Sequence, residues 1–364
     1  MKRLIFGLAV AAVALVLWIN FSDSNESATN RFADNISENG SSSRALLPRR
    51  SRIAQKAPAN ISADSAPNDN DGESEFEAKQ LSREQIDAYL EKTKRSPDSL
   101  INAYIQTLDT NFLAEAAEKY PDNSIVQWAL ASRLSASTAN ERQHSLEKLK
   151  ASSPDNALPN YLSALDAFKA GQPEKAIAEM DAASTKKYNS FDRERMQSSE
   201  EMFLLSGLSP VEAREQATTQ LLLPNLSDMK LLADEINSLQ KKYLANGDTA
   251  SSQQLSALTV EASRKLAQAN NPTLIGELVG FAMENIALKN LDAGTYYEFL
   301  GKTPGERLQE IKNRKQEVNE LVPVFSQKYQ SLTDAEKTIY LERWNLHGEM
   351  NAMRWLDNYS PGGK

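Results

Sequence analysis

Beyond residue 80, apolar side chains recur at intervals of three, four and seven along most of the chain. That period lines them up on one stripe of an α-helix. Leu274, Leu278, Phe281 and Ile286 form one such run. No segment alternates apolar and polar residues as a half-buried strand does, and no Asn-Gly turn is flanked by such alternation. Helix-start signals punctuate the stripes. Ser82 with Gln85, and Thr138 with Glu141, have the spacing of a capping box, in which each side chain satisfies the other residue's free N–H. Ser209-Pro210-Val211-Glu212 and Thr303-Pro304-Gly305-Glu306 add proline at the first helical position, where a missing N–H costs nothing. Thr333-Asp334-Ala335-Glu336 opens what reads as a single last helix. The pattern predicts an all-α protein.

Two segments depart from it. Met1-Lys2-Arg3 precedes an apolar run, Leu4–Phe21, in which Leu4, Phe6, Leu17 and Trp18 are the candidate membrane-anchoring residues. A spanning helix needs at least about 17 apolar residues, which this run meets, and Trp18 falls at its water-facing end. The run is longer than the apolar core of a cleaved signal peptide and ends in bulky Trp18-Ile19. Basic residues before it and Asp23, Glu26 and Asp34 after it predict a cytoplasmic N-terminus and an exported body. The alternative is secretion after cleavage. Residues 22–80 then carry Ser, Asn, Asp, Ala and Pro with almost no aromatics, which predicts a disordered linker. A coil of that length spans about 40–45 Å, enough to hold a domain clear of a bilayer.

A repeat is visible next. Pro121-Asp122-Asn123 returns as Pro154-Asp155-Asn156, an offset of 33. At the same offset Trp128 pairs with Tyr161 and Ala131 with Ala164. Tyr161-Leu162-Ser163-Ala164, Gly171 at a turn, and Ala176, Ile177, Met180 and Ala183 complete the clearest unit. This unit resembles the tetratricopeptide repeat, a pair of antiparallel helices kept close by small residues. It departs at Pro173, where that family usually has an aromatic. The resemblance implies an α-solenoid over 81–206 whose inner face binds peptides, continuing into a C-terminal helical region over 207–360. Trp128, Tyr161 and Phe168 are then candidates to lie near that face, with inter-repeat core as the alternative role. The plan of anchor, linker and helical body also resembles membrane-anchored lipase foldases, but their Arg-x-x-Phe-Asp-Tyr signature is absent around Phe191-Asp192.

Composition narrows the chemistry. The chain of 364 residues has no cysteine, which excludes disulfides, thiol catalysis and cysteine-ligated metal. Its formal charge of −8 argues against a general nucleic-acid binder. His144 and His347 are its two histidines, and neither lies in a Gly-x-Ser-x-Gly or His-Glu-x-x-His context. Adjacent acids such as Glu200-Glu201 point about 100° apart on a helix and are not expected to share a site. No catalytic, cofactor or metal residue is therefore expected. Trp344, Gly348, Ala352, Trp355 and Tyr359 would share one face of the last helix, which makes Trp344 and Trp355 candidate partner-binding residues. The function expected is that of a membrane-anchored scaffold that binds other proteins or peptides in the cell envelope. An envelope hydrolase built on carboxylates, or a foldase-type chaperone, is the alternative.

Overall fold

Capping side chains set where the helices begin. In the computed structural model, which describes residues 79–132, 138–269 and 273–360, Ser82 opens α1 (Arg83–Lys92) through the expected capping box. Ser96 caps α2 (Pro97–Thr107), Asp109 caps α3 (Thr110–Lys119) and Asn123 caps α4 (Ser124–Ala131). Thr138 boxes α5 (Ala139–Ser152), and proline enters the first turn of α6 (Leu158–Lys169) and α7 (Pro173–Ser184). The pair α8 (Asp192–Leu205) and α9 (Pro210–Thr219) follows, then α10 (Pro224–Ala245), α11 (Thr249–Ala267) and α12 (Leu274–Leu288). The chain closes with α13 (Pro304–Gln330), α14 (Asp334–His347) and α15 (Glu349–Asn358). Among the described residues every regular element is a helix, and none is long and apolar enough to cross a membrane. The Leu4–Phe21 run, with Leu4, Phe6, Leu17 and Trp18, lies outside the described residues, as does the linker up to residue 78.

The 33-residue offset has a physical basis. Asn123 Oδ1 accepts from the Ile125 N–H at 3.0 Å, and Asn156 Oδ1 accepts from Leu158 at the same distance. Each asparagine's own N–H donates to the carbonyl three residues back, Tyr120 and Ser153. A third asparagine, Asn189, stands a further 33 residues along and shares one of these bonds, accepting from Phe191 N–H at 2.9 Å, while its own N–H goes to Asn156. Asn156 also reaches it directly: Nδ2 donates to the Asn189 carbonyl, and Oδ1 accepts from the Asn189 N–H. Asparagine is suited to this place because its short amide mimics a backbone turn. Gly171, expected at a turn, takes a positive φ of +69° between α6 and α7, and Ala164 and Ala176 are fully buried between helices.

Packing shows how the hairpins are used. The pairs α2–α3, α4–α5, α6–α7 and α8–α9 each pack internally. The fourth pair turns back, and α8 lies against α2, where Asn102 Nδ2 donates to Ser198 Oγ at 3.2 Å. Helix α10 packs along α6, and α11 along α7. Arg142 on α5 binds Asp166 on α6 at 2.9 Å and approaches Asp228 on α10 at 3.5 Å, tying the three together. Residues 79–360 belong to one compact unit, and the sequence boundary at 206/207 falls in the turn of the α8–α9 hairpin. The described chain begins with Lys79 already held, its N–H donating to Gln216 Oε1 on α9.

Helices α11 and α12 approach each other closely at Gly280. A Cβ on Gly280 would stand 2.8 Å from the Ser263 carbonyl oxygen, so only glycine fits there. Gln240 on α10 holds α11 by donating to Ser256 Oγ and to the Ser252 carbonyl, and the Ser256 hydroxyl in turn donates to the Ala287 carbonyl on α12.

The two asparagines predict different costs. Asn123→Ala should lower stability by about 1 kcal/mol, the usual value of an N-cap. Asn156→Ala strands two N–H donors and one carbonyl in a largely buried site and should cost about 2–4 kcal/mol. Urea midpoints of the two variants provide the comparison, and equal shifts would show that Asn156 is only a cap.

Candidate functional site

The sequence-predicted partner residues do not gather on one surface. Trp128 and Tyr161 are almost completely buried, at 0% and 2% exposure. Phe168 is half-buried against the same core. The inner face expected to be open is covered by the chain's own α8 and α10, so an outside partner does not reach Trp128 or Tyr161 in this structure. Arg195 of α8 lies 4.2 Å over the Trp128 ring, and Tyr161 packs against Tyr188.

The expected single last helix is also corrected. Gly348 adopts φ 84° and ψ 161°, which ends α14 and starts α15 in a new direction. Trp344, Gly348, Ala352, Trp355 and Tyr359 therefore do not share one face. Trp344 turns inward and is buried. Trp355 stays half-exposed, stacked on Tyr359 at 4.6 Å, with the Arg343 guanidinium 4.9 Å from its ring centre. Both histidines are exposed.

Trp344 instead belongs to a cavity of about 290 Å³ where α8, α9 and α14 meet. Its floor is Thr218, Leu341 and Trp344, all buried. Met196, Glu200, Arg214 and Asn345 form half-buried walls, while Arg193, Gln197, Glu201 and Leu204 stand exposed at the rim. Glu200 and Glu201 thus line one cavity, contrary to the sequence expectation. The cavity runs from the rim of α8 to its inner side and so takes in two neighbouring stripes of the helix. Sequence reading missed Arg193, Arg214 and Asn345, because the contact of α14 with α9 joins segments more than 100 residues apart and no local spacing announces it.

Arg214 organises the walls. Its Nε donates to both oxygens of Glu200, at 3.1 and 3.0 Å, and its Nη1 pairs with Glu342 on α14 at 3.1 Å. One guanidinium therefore joins all three helices. Nearby, Glu215 accepts from the Tyr329 hydroxyl and pairs with Lys337, which fixes α13 and α14 to α9. Glu200 is thereby engaged by Arg214. Among the described residues no group of side chains suits a metal ion.

The junction of α14 and α15 is held by Glu349. Its Oε2 accepts from the Leu274 N–H at 2.7 Å, at the start of α12. Full burial, with Glu277 nearby as a second carboxylate, pushes the Glu349 acid up to about 7. Glu277 is itself paired with Arg314 on α13, and the buried Tyr340 phenol approaches from α14.

Comparison with known protein families, with characterised proteins and with solved structures finds no match for this chain.

Glu349 yields a pH prediction with a definite sign. Its folded pKa lies above the unfolded value of about 4.3, so the native state holds more protons than the unfolded chain between the two. This contribution is fully present below about pH 4, and is lost as pH rises through about 7. Glu349→Gln should flatten the fall in melting temperature between pH 5 and pH 8. An unchanged pH profile would remove Glu349 from the account.

Proposed function

We propose that the protein is a membrane-anchored helical-repeat scaffold that binds other proteins in the cell envelope. The observation that carries this reading is the cavity between α8, α9 and α14. A buried indole lies beneath a rim of exposed charged and polar side chains, a combination suited to taking side chains of a partner polypeptide. The recurrence of Asn123, Asn156 and Asn189 supports a repeat of the tetratricopeptide type, with the fourth hairpin turned back on the first. The Leu4–Phe21 run followed by a polar stretch supports anchoring with the helical body exported. In this reading partners dock on the outside of the helix array, because α8 and α10 occupy the faces that an open array would offer. The commitment of Glu200 to Arg214 gives the alternative of a carboxylate hydrolase no support at this cavity.

Full-length protein purified from cross-linked native membranes tests the proposal. It should survive a carbonate wash and carry the same set of envelope proteins whether or not His144→Ala and His347→Ala are present. Release by carbonate would contradict the anchor. Loss of the cellular role on changing one histidine or carboxylate, with folding and partners intact, would contradict the scaffold.

A further inference from the structure

The scaffold reading leaves open what the cavity recognises, and the rim charges narrow the answer. Arg214 and Glu200 neutralise each other in the wall, and Glu342 completes the set. Arg193 and Glu201 are different. Neither takes part in an ion pair among the described residues, and both are exposed at the rim. Glu201 has only a long contact of 3.4 Å from Gln197.

Neither charge is placed where it would help its own helix. Arg193 lies in the first turn of α8, next to the positive end of the helix dipole, and Glu201 lies in the C-terminal half, toward the negative end. The opposite arrangement would stabilise α8. The cavity rim therefore offers a cation and an anion that no other part of the described structure uses.

Their spacing is set by the helix. Arg193, Gln197 and Glu201 follow one another at intervals of four, along a single stripe. Eight residues at 1.5 Å rise put the two charges about 12 Å apart along the axis. An extended peptide advances about 3.3 Å per residue, so side chains four residues apart span about 13 Å. Between the charges, Met196 on the wall and Leu341 with Trp344 on the floor form an apolar patch. The cavity's volume of about 290 Å³ suits one or two side chains rather than a whole folded element.

Resting on the scaffold reading, we infer that this cavity binds an extended peptide segment with an acidic and a basic residue four positions apart and an apolar residue between them. The acid meets Arg193, the base meets Glu201, and the apolar side chain enters toward Trp344. Charge-assisted contacts at both ends set the register, and the apolar side chain contributes burial.

The test uses the full-length protein and two blocked pentapeptides, with calorimetry as the readout. Acetyl-Asp-Ala-Leu-Ala-Lys-amide has the matching spacing, and acetyl-Ala-Asp-Leu-Lys-Ala-amide brings the same charges two residues apart. The first should saturate, and the second should bind about tenfold more weakly, the loss expected from one charged contact. Arg193→Glu and Glu201→Arg should each weaken the first peptide by about tenfold. A protein with both changes should recover binding, since the peptide can lie in the reverse direction. Circular dichroism confirms that each variant is folded. Equal binding of the two peptides, single variants that bind like the unaltered protein, absence of saturation, or no recovery in the double variant would overturn the inference. The scaffold reading has a separate test in co-purification from membranes. Partners retained there at unaltered level by the Arg193→Glu single variant would also overturn this site while leaving the scaffold standing.

Discussion

Arg195 is a guanidinium placed inside an apolar core. It lies over the Trp128 ring, donates from Nη1 to the Leu222 carbonyl at 2.7 Å, and stands 3.6 Å from Asp192. Burial pushes the arginine's pKa down and the aspartate's up. Breaking such a buried pair by removing one partner costs about 3–5 kcal/mol, because the remaining charge has nowhere to go. The arrangement requires α8, α4 and the loop before α10 to meet at one point. A chain of hairpins stacked in an open row would leave Arg195 and Trp128 apart, and each would need another partner. The turned-back path of the fourth hairpin follows from this single contact more directly than from any propensity of the helices.

Once α8 is fixed on α2 and α4, the rest of the surface is constrained. The inner faces are covered by α8 and α10, so the aromatics there serve packing. The outer edge of α8 is left facing α9 and α14, where Arg214 bridges Glu200 and Glu342. The return of α14 to α9 depends in turn on the C-terminal segment being held at α12, where Glu349 receives the Leu274 N–H. A buried cation at one end and a buried carboxylate at the other thus frame a cavity that no single element defines.

The all-helical character and the helix starts were legible because they are local. Ser82, Thr138, Ser209, Thr303 and Thr333 all cap the helices that their spacing announces. The repeat was legible for two units through Asn123 and Asn156. Its third member was hidden because Asn189 is followed by no matching aromatic and alanine, so only hydrogen bonding reveals it. Gly348 was read as part of a helix stripe, since glycine at one stripe position does not itself announce a break, and its φ of 84° is a tertiary outcome. The cavity was mostly invisible. Trp344 was picked for its type, but its neighbours on α8 and α9 come from segments brought close only by the fold. The free rim charges, Arg193 and Glu201, look like ordinary solvated side chains until the pairs around them have been assigned.

The central claim is that the fourth hairpin turns back onto the first. The absence of cysteine from the chain makes a direct measurement possible, because a thiol pair introduced at Asn102→Cys and Ser198→Cys reacts without competition. These side chains are in hydrogen-bond contact across α2 and α8. The folded protein treated with a mild oxidant, then digested without reductant and read by mass spectrometry, should give the disulfide-linked peptide pair in high yield within single molecules. An open row of hairpins would hold the two positions three hairpins apart, and a folded variant that fails to cross-link would contradict the account.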